Sequence, residues 1–275
     1  MKKIVYTTDF SENSVGALKY AVALSEIFNT DVIALHVASS SEINSTRKNS
    51  EKEGRKALKT KLTEFCSEHL EEDLSDLNLT VAVIVASSVT KGILDFTRDM
   101  EIRMLIMGAC GSGNFKDFFL GSSTKDMLEL SPYPLLAVPP NYVFTELTNV
   151  VYTTDFEQED ILNIKEVLAL LNPVKPNLII LHVSDQDETM TRNLLEWFKK
   201  NLSEIVDYPQ IEFKVVFSDH ILKSLKENLE TLDVDMVVML ERQPNSQKSS
   251  LLHRDLVKRM QSCIEVPLLS FNEKF

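Results

Sequence analysis

The hexapeptide Val5-Tyr6-Thr7-Thr8-Asp9-Phe10 returns intact as Val151-Tyr152-Thr153-Thr154-Asp155-Phe156, 146 positions later. Leu35-His36-Val37 returns as Leu181-His182-Val183 at the same offset. Met104-Leu105-Ile106-Met107 aligns with Met236-Val237-Val238-Met239 at an offset of 132, and Pro134-Leu135-Leu136 with Pro267-Leu268-Leu269 at 133. Matches in one order, separated by one deletion and a one-residue shift, mean a tandem duplication. Whatever architecture the chain adopts must therefore be built twice, from about half of its 275 residues each time. The junction falls near Asn141–Asn149, so the expected domains are 1–146 and 147–275.

Within each half, short β-branched runs alternate with helical patterns. Strands are expected at Lys3–Asp9, Asp31–Val37, Leu79–Val85, Arg103–Gly108 and Pro134–Val138. A helix follows Ser11 and Asn13, with apolar Val15, Leu18, Ala21, Val22 and Leu24. Further helices are expected near Ser50–Leu70, over Lys91–Met100 and from Gly121 to Leu130, with Ser39–Asn49 a polar loop. The second half repeats the strands at Val150–Asp155, Asn177–Val183, Ile211–Phe217, Asp235–Leu240 and Val266–Phe271. Regular strand–helix alternation dictates a parallel sheet with right-handed crossovers. The expected fold is α/β, two tandem doubly wound domains with five-stranded parallel sheets.

Charge and composition narrow the function. A net charge of -12, shared between both halves, disfavours nucleic acid and anionic membranes, though a small anion held locally by backbone N–H groups remains compatible with it. Cys66, Cys110 and Cys263 are odd in number and lack CxxC spacing, which argues against disulfides and a structural zinc. The apolar start Ile4-Val5-Tyr6 is interrupted at once by Thr7, Thr8 and Asp9. No run approaches the ~20 apolar residues that span a bilayer. The expectation is a cytoplasmic protein.

In a doubly wound sheet, ligands sit beyond the carboxyl ends of the strands at the switch in strand order. Thr8 and Asp9 follow the first strand, Val37 ends the second, and Met107-Gly108-Ala109-Cys110-Gly111 ends the fourth. Gly121-Ser122-Ser123-Thr124 then opens a helix, giving the pattern G-x2-G-x9-G-S. Glycines 108 and 111 remove side chains where backbone must approach a ligand or take positive φ. Gly121 does so at a helix start, where unpaired N–H groups and the dipole attract an anion. The Ser122 and Thr124 hydroxyls suit phosphate oxygens. Ionised Asp9 only accepts, so it suits a base or ribose, or else caps the following helix. His36 and His182, inside apolar strands, read as buried structural histidines.

On these residues the chain resembles the universal stress protein A family in its tandem form. The family motif G-x2-G-x9-G-(S/T), preceded by an apolar strand and Met, spans residues 107–122. The opening strand ending in Thr-Asp and the second ending in Leu-His-Val are matched at residues 5–9 and 35–37. The resemblance implies a Rossmann-like fold of the adenine nucleotide alpha hydrolase kind. It implies ATP, or AMP or ADP, as ligand, with Mg²⁺ carried by the phosphates. It places adenine against Asp9 and Val37 with Thr8 beside it, ribose near Met107 and Gly108, and phosphates on Gly111, Gly121, Ser122 and Thr124. Cys110 stands where a polar or basic residue is common, so that position is assigned no phosphate contact. The resemblance also implies pairing of the two domains within one chain, and homodimerisation through Leu135–Val138 or Pro267–Phe271.

The second half has lost the motif: Gly108 becomes Leu240, Gly111 Gln243, Gly121 Arg254 and Ser122 Asp255. The expected function is therefore an ATP-binding stress-response module with nucleotide in the first domain. The alternative is a structural or interaction module that holds none. No residue is assigned a catalytic or metal-binding role, since there is no P-loop, no G-x-S-x-G elbow and no aspartate after the third strand. Slow ATP hydrolysis is the most such a site would do.

Overall fold

Ten of the β-branched runs form strands. The computed structural model describes residues 2–46, 50–74, 76–109, 121–140, 142–241 and 265–272. It divides into two units, Met1–Phe144 and Thr145–Phe275. In the first, β1 (Lys3–Thr7), β2 (Val32–Ala38), β3 (Leu79–Val85), β4 (Ile102–Gly108) and β5 (Leu135–Val138) lie in the order β3-β2-β1-β4-β5. In the second, β6 (Asn149–Thr153), β7 (Asn177–Ser184), β8 (Ile211–Phe217), β9 (Met236–Glu241) and β10 (Leu268–Asn272) repeat it as β8-β7-β6-β9-β10. Every pairing within each unit is parallel.

The crossovers of the first unit are α1 (Val15–Phe28), α3 (Glu51–Leu70), α4 (Val89–Thr97) and α5 (Ser122–Leu130). Strand side chains alternate between faces, so one set meets α4 and α5 and the other meets α1 and α3. The α4–α5 side is a core of Val5, Leu35, Leu105, Met107 and Leu135 closed by Ile93, Met127 and Leu128. In the second unit α6 (Gln158–Leu171), α7 (Glu188–Ile205) and α8 (Ile221–Thr231) play the same parts, with Leu225 and Leu229 of α8 over Val151, Leu181 and Val237. Among the described residues no helix is long and apolar enough to cross a membrane.

One element departs from the sequence reading. Ser39–Asn49, expected as loop, contains a short helix, α2 (Ser40–Ser45). Its start is capped by Ser39, whose hydroxyl accepts from the Glu42 amide at 3.1 Å. Its anchor is Ile43, buried against Ala38 and Leu58. A Cβ at Gly54 would lie 2.8 Å from Ile43 Cγ2, so α3 makes room for the anchor by carrying no side chain there. The polar composition hides this packing.

The duplication persists at atomic detail. Phe10 and Phe156 both take left-handed backbone, φ 66 and 59. Each donates its amide to the preceding threonine hydroxyl, at 2.9 Å for Thr8 and 2.7 Å for Thr154. The units then diverge at one position. The first has Ser14, whose hydroxyl meets Thr8 Oγ1 at 2.7 Å. The second has the fully buried Asp160, which accepts from Thr154 Oγ1 (2.7 Å), Tyr152 Oη (3.0 Å) and the Glu157 amide (3.2 Å). Removing that acceptor takes a partner from two buried hydroxyls and one half-buried amide. Asp160→Ala is expected to lower stability of the second unit by about 3 kcal/mol in urea unfolding, and Asp160→Asn by less.

Candidate functional site

The order of strands turns at β1. β1 pairs with β2 on one side and β4 on the other, Thr7 lying level with Leu35 and with Met107. Connections leave in opposite directions there, which opens a crevice at the carboxyl ends. Thr8, Asp9 and Gly108 come out beside it.

The loop after β1 is held rigidly. The Thr8 amide donates to the Leu35 carbonyl at 3.1 Å, and His36 Nδ1 donates to the Thr8 carbonyl at 2.8 Å. The other ring nitrogen, Nε2, faces Glu42 Oε1 at 3.0 Å, and the Phe10 ring packs on the imidazole with centroids 4.3 Å apart. Ser14 Oγ donates to the Ser11 carbonyl at 2.7 Å, so the Thr8 hydroxyl donates to Ser14. Thr8 is thus buried scaffolding whose hydroxyl is used inside the loop. Asp9 is exposed; its Oδ1 accepts the Ser11 amide at 3.0 Å, and the carboxylate keeps accepting capacity for a second partner. Glu42 and His36 were not assigned a part in the site by sequence reasoning. The signal for His36 was its recurrence with the threonine at a fixed offset.

Of the two reasons expected for a glycine at 108, positive φ does not apply, as no described glycine has it. Instead a Cβ at Gly108 would lie 2.6 Å from the Asn13 carbonyl oxygen and 3.0 Å from Ser14 Cα. The bare backbone lets the single 3-10 turn Glu12–Ser14 close onto the end of β4. Thr124, also buried, donates to the Gly108 carbonyl at 3.2 Å and so draws the start of α5 to the same strand end. Gly121 is the N-cap of α5, with φ -57 and ψ 152, and among the described residues no side chain caps it. The first-turn N–H groups of a helix lack intrahelical acceptors. Here they open beside Gly108, with Ser122 exposed at the first turn and Val37 half-buried. Met107 is buried below. Gly111 and Cys110 lie outside the described residues. Burial pushes the Cys66 thiol up to about 12, which keeps it protonated and inert.

The second unit keeps the scaffold and changes the residues at its strand ends. Leu240 lies level with Phe271 as Gly108 lies level with Val138, and it is buried. Asp155 is half-buried with Oδ1 4.0 Å from His182 Nδ1, where Asp9 is exposed. Phe156 is buried against Phe198, ring centroids 5.1 Å apart. Gln243, Arg254 and Asp255 lie outside the described residues.

Two doubly wound domains, each a five-stranded parallel sheet with its strand order turning at the first strand, define a class: tandem α/β proteins of the Rossmann-like kind. The sequence model of the universal stress protein family matches residues 1–139. The chain belongs to the universal stress protein family. Universal stress protein MJ0577 of Methanocaldococcus jannaschii is 33% identical over 152 residues, which are 50% of this chain and 94% of that one. A universal stress protein from Archaeoglobus fulgidus is 16% identical and covers 99% of this chain and 98% of its own, with a TM-score of 0.71. A functionally unknown protein from Pseudomonas aeruginosa PAO1 is 12% identical over 99% of this chain and 93% of its own, with a TM-score of 0.67. These last two share the fold.

Gly108→Ala is expected to push the Glu12–Ser14 turn off β4 and to cost the first unit about 1–3 kcal/mol, measured by urea unfolding.

Proposed function

We propose that the first unit binds an adenine nucleotide, ATP foremost, and that the protein works as a nucleotide-responsive stress module whose second unit binds none. The observation that carries this reading is the start of α5. Gly121 leaves it without a side-chain cap among the described residues, and the Thr124 hydroxyl ties it to Gly108 at the switch point. Orphan N–H groups and the positive end of the helix dipole meet there, the chemistry that a phosphate needs.

The residues present fit ATP. Gly111, Gly121 and Ser122 would hold phosphates, and Thr124, its proton given to Gly108, sets the position of that cradle. Met107 and Gly108 would border the ribose. The exposed Asp9 carboxylate would accept from the base or a ribose hydroxyl, and half-buried Val37 would pack on the ring. Bound nucleotide supplies the coordination shell for Mg²⁺ through its own phosphates. His36 holds the Thr8 carbonyl, keeping Asp9 at the mouth. A ligand of this kind acts as a signal: binding stabilises the first unit by mass action, and the bound state is what a partner can read.

Gly121→Asp tests the reading without breaking the helix, since aspartate is a favoured N-cap. Its carboxylate would occupy the same N–H groups and repel phosphate. Calorimetric titration with Mg-ATP is expected to show one site in the wild type and at least about a tenfold loss in the variant, with unfolding unchanged or improved. Equal binding by both proteins would move the nucleotide elsewhere; no binding by either would leave an interaction module without nucleotide.

A further inference from the structure

A glycine inside a helix is disfavoured relative to alanine, so its presence asks for a reason. Gly92 is the fourth residue of α4 and buried. A Cβ built there would lie 2.6 Å from Val37 Cγ1, 3.0 Å from Ala86 Cβ and 3.3 Å from Ile84 Cδ1. The Ile84 methyl is the end of a flexible side chain and can shift, but the two nearer neighbours cannot move cheaply. Val37 is β-branched and stiff at χ1, and Ala86 has no rotamer to change. The helix therefore rests directly on Val37, and the missing methyl sets where that side chain stands.

The second unit offers an internal comparison. Its helix α8 has the same register: the Ser224 amide donates to the His220 carbonyl at 3.0 Å, as the Gly92 amide donates to Ser88 at 3.0 Å. The two positions differ by 132, the offset already seen for the strand that follows. Serine stands where the first unit has glycine. The valine below is kept as Val183, which is buried, 9% exposed, whereas Val37 is half-buried. The unit with glycine above its valine is the one that leaves that valine partly exposed.

We propose that Gly92 is a positioning residue for the base end of the nucleotide site: by carrying no side chain it fixes Val37 in the rotamer that leaves room for the ring. This rests on the reading of the first unit as nucleotide-binding. A methyl at position 92 drives the Val37 γ-methyl toward the crevice, and shortening Val37 to alanine removes that closest collision, leaving the milder 3.0 Å approach to Ala86 Cβ. Mg-ATP titrations of wild type, Gly92→Ala, Val37→Ala and the double variant form a double-mutant cycle. Gly92→Ala is expected to weaken ATP about tenfold, and the double variant to bind within about threefold of Val37→Ala alone. A merely structural role gives the opposite pattern, because a cavity at Val37 compounds a disturbed helix instead of rescuing it. Wild-type binding with additive or null effects overturns the role of Gly92 alone. Absence of ATP binding by the wild type overturns the site itself, and the two failures are read from different proteins in the set.

Discussion

The site in the first unit depends on one backbone-to-backbone approach. At the end of β4, Gly108 comes so close to Asn13 and Ser14 that any Cβ would sit 2.6 Å from a carbonyl oxygen. From that contact the rest follows. The turn Glu12–Ser14 docks, Ser14 takes the Thr8 hydroxyl, and Thr8 and His36 lock the loop that carries Asp9. On the other side the Gly108 carbonyl takes the Thr124 proton and brings the bare start of α5 to the crevice. A single missing side chain thus draws together the base end and the phosphate end of the proposed site.

The second unit shows what the same scaffold becomes without that contact. The Thr–Phe turn, the buried histidine and the strand order are all retained. Leu240 occupies the position of Gly108, and Asp160 replaces Ser14 as the hub for Tyr152, Thr154 and Glu157. A buried acid with three donors organises the loop from within, so the loop no longer depends on approach to β9. Asp155 turns toward His182 and Phe156 is covered by Phe198. Duplication preserved the framework because the framework is core packing. The strand ends were free to change, because Leu240 and Asp160 pack where Gly108 and Ser14 stand in the first unit.

Much of this was legible in the residues. The strands could be read because buried parallel strands are continuous β-branched runs, and Leu79–Val85 and Ile211–Phe217 fall where expected. The switch point could be read because Thr8-Asp9 and Gly108 were expected at strand ends and Gly121 at a helix start, and β1, β4 and α5 end or begin there. Three features were not legible. Helix α2 is polar along its length, and its stability comes from Ile43 seated over Gly54, a tertiary contact invisible to periodicity. The approach of Gly108 to the Glu12–Ser14 turn was not foreseen, since sequence cannot say which neighbouring backbone a bare glycine faces. The Thr124 hydroxyl, read as free for phosphate, is held by the Gly108 carbonyl, a long-range pairing that local sequence does not announce.

The most direct measurement is a crystal structure of the protein grown with Mg²⁺ and a non-hydrolysable ATP analogue. The expected density lies in the first unit alone, phosphates over the start of α5 at Gly121 and Ser122, and the ring between Asp9 and Val37. An empty first-unit crevice, or nucleotide seated only against Leu240 and Asp155 in the second unit, would contradict the account.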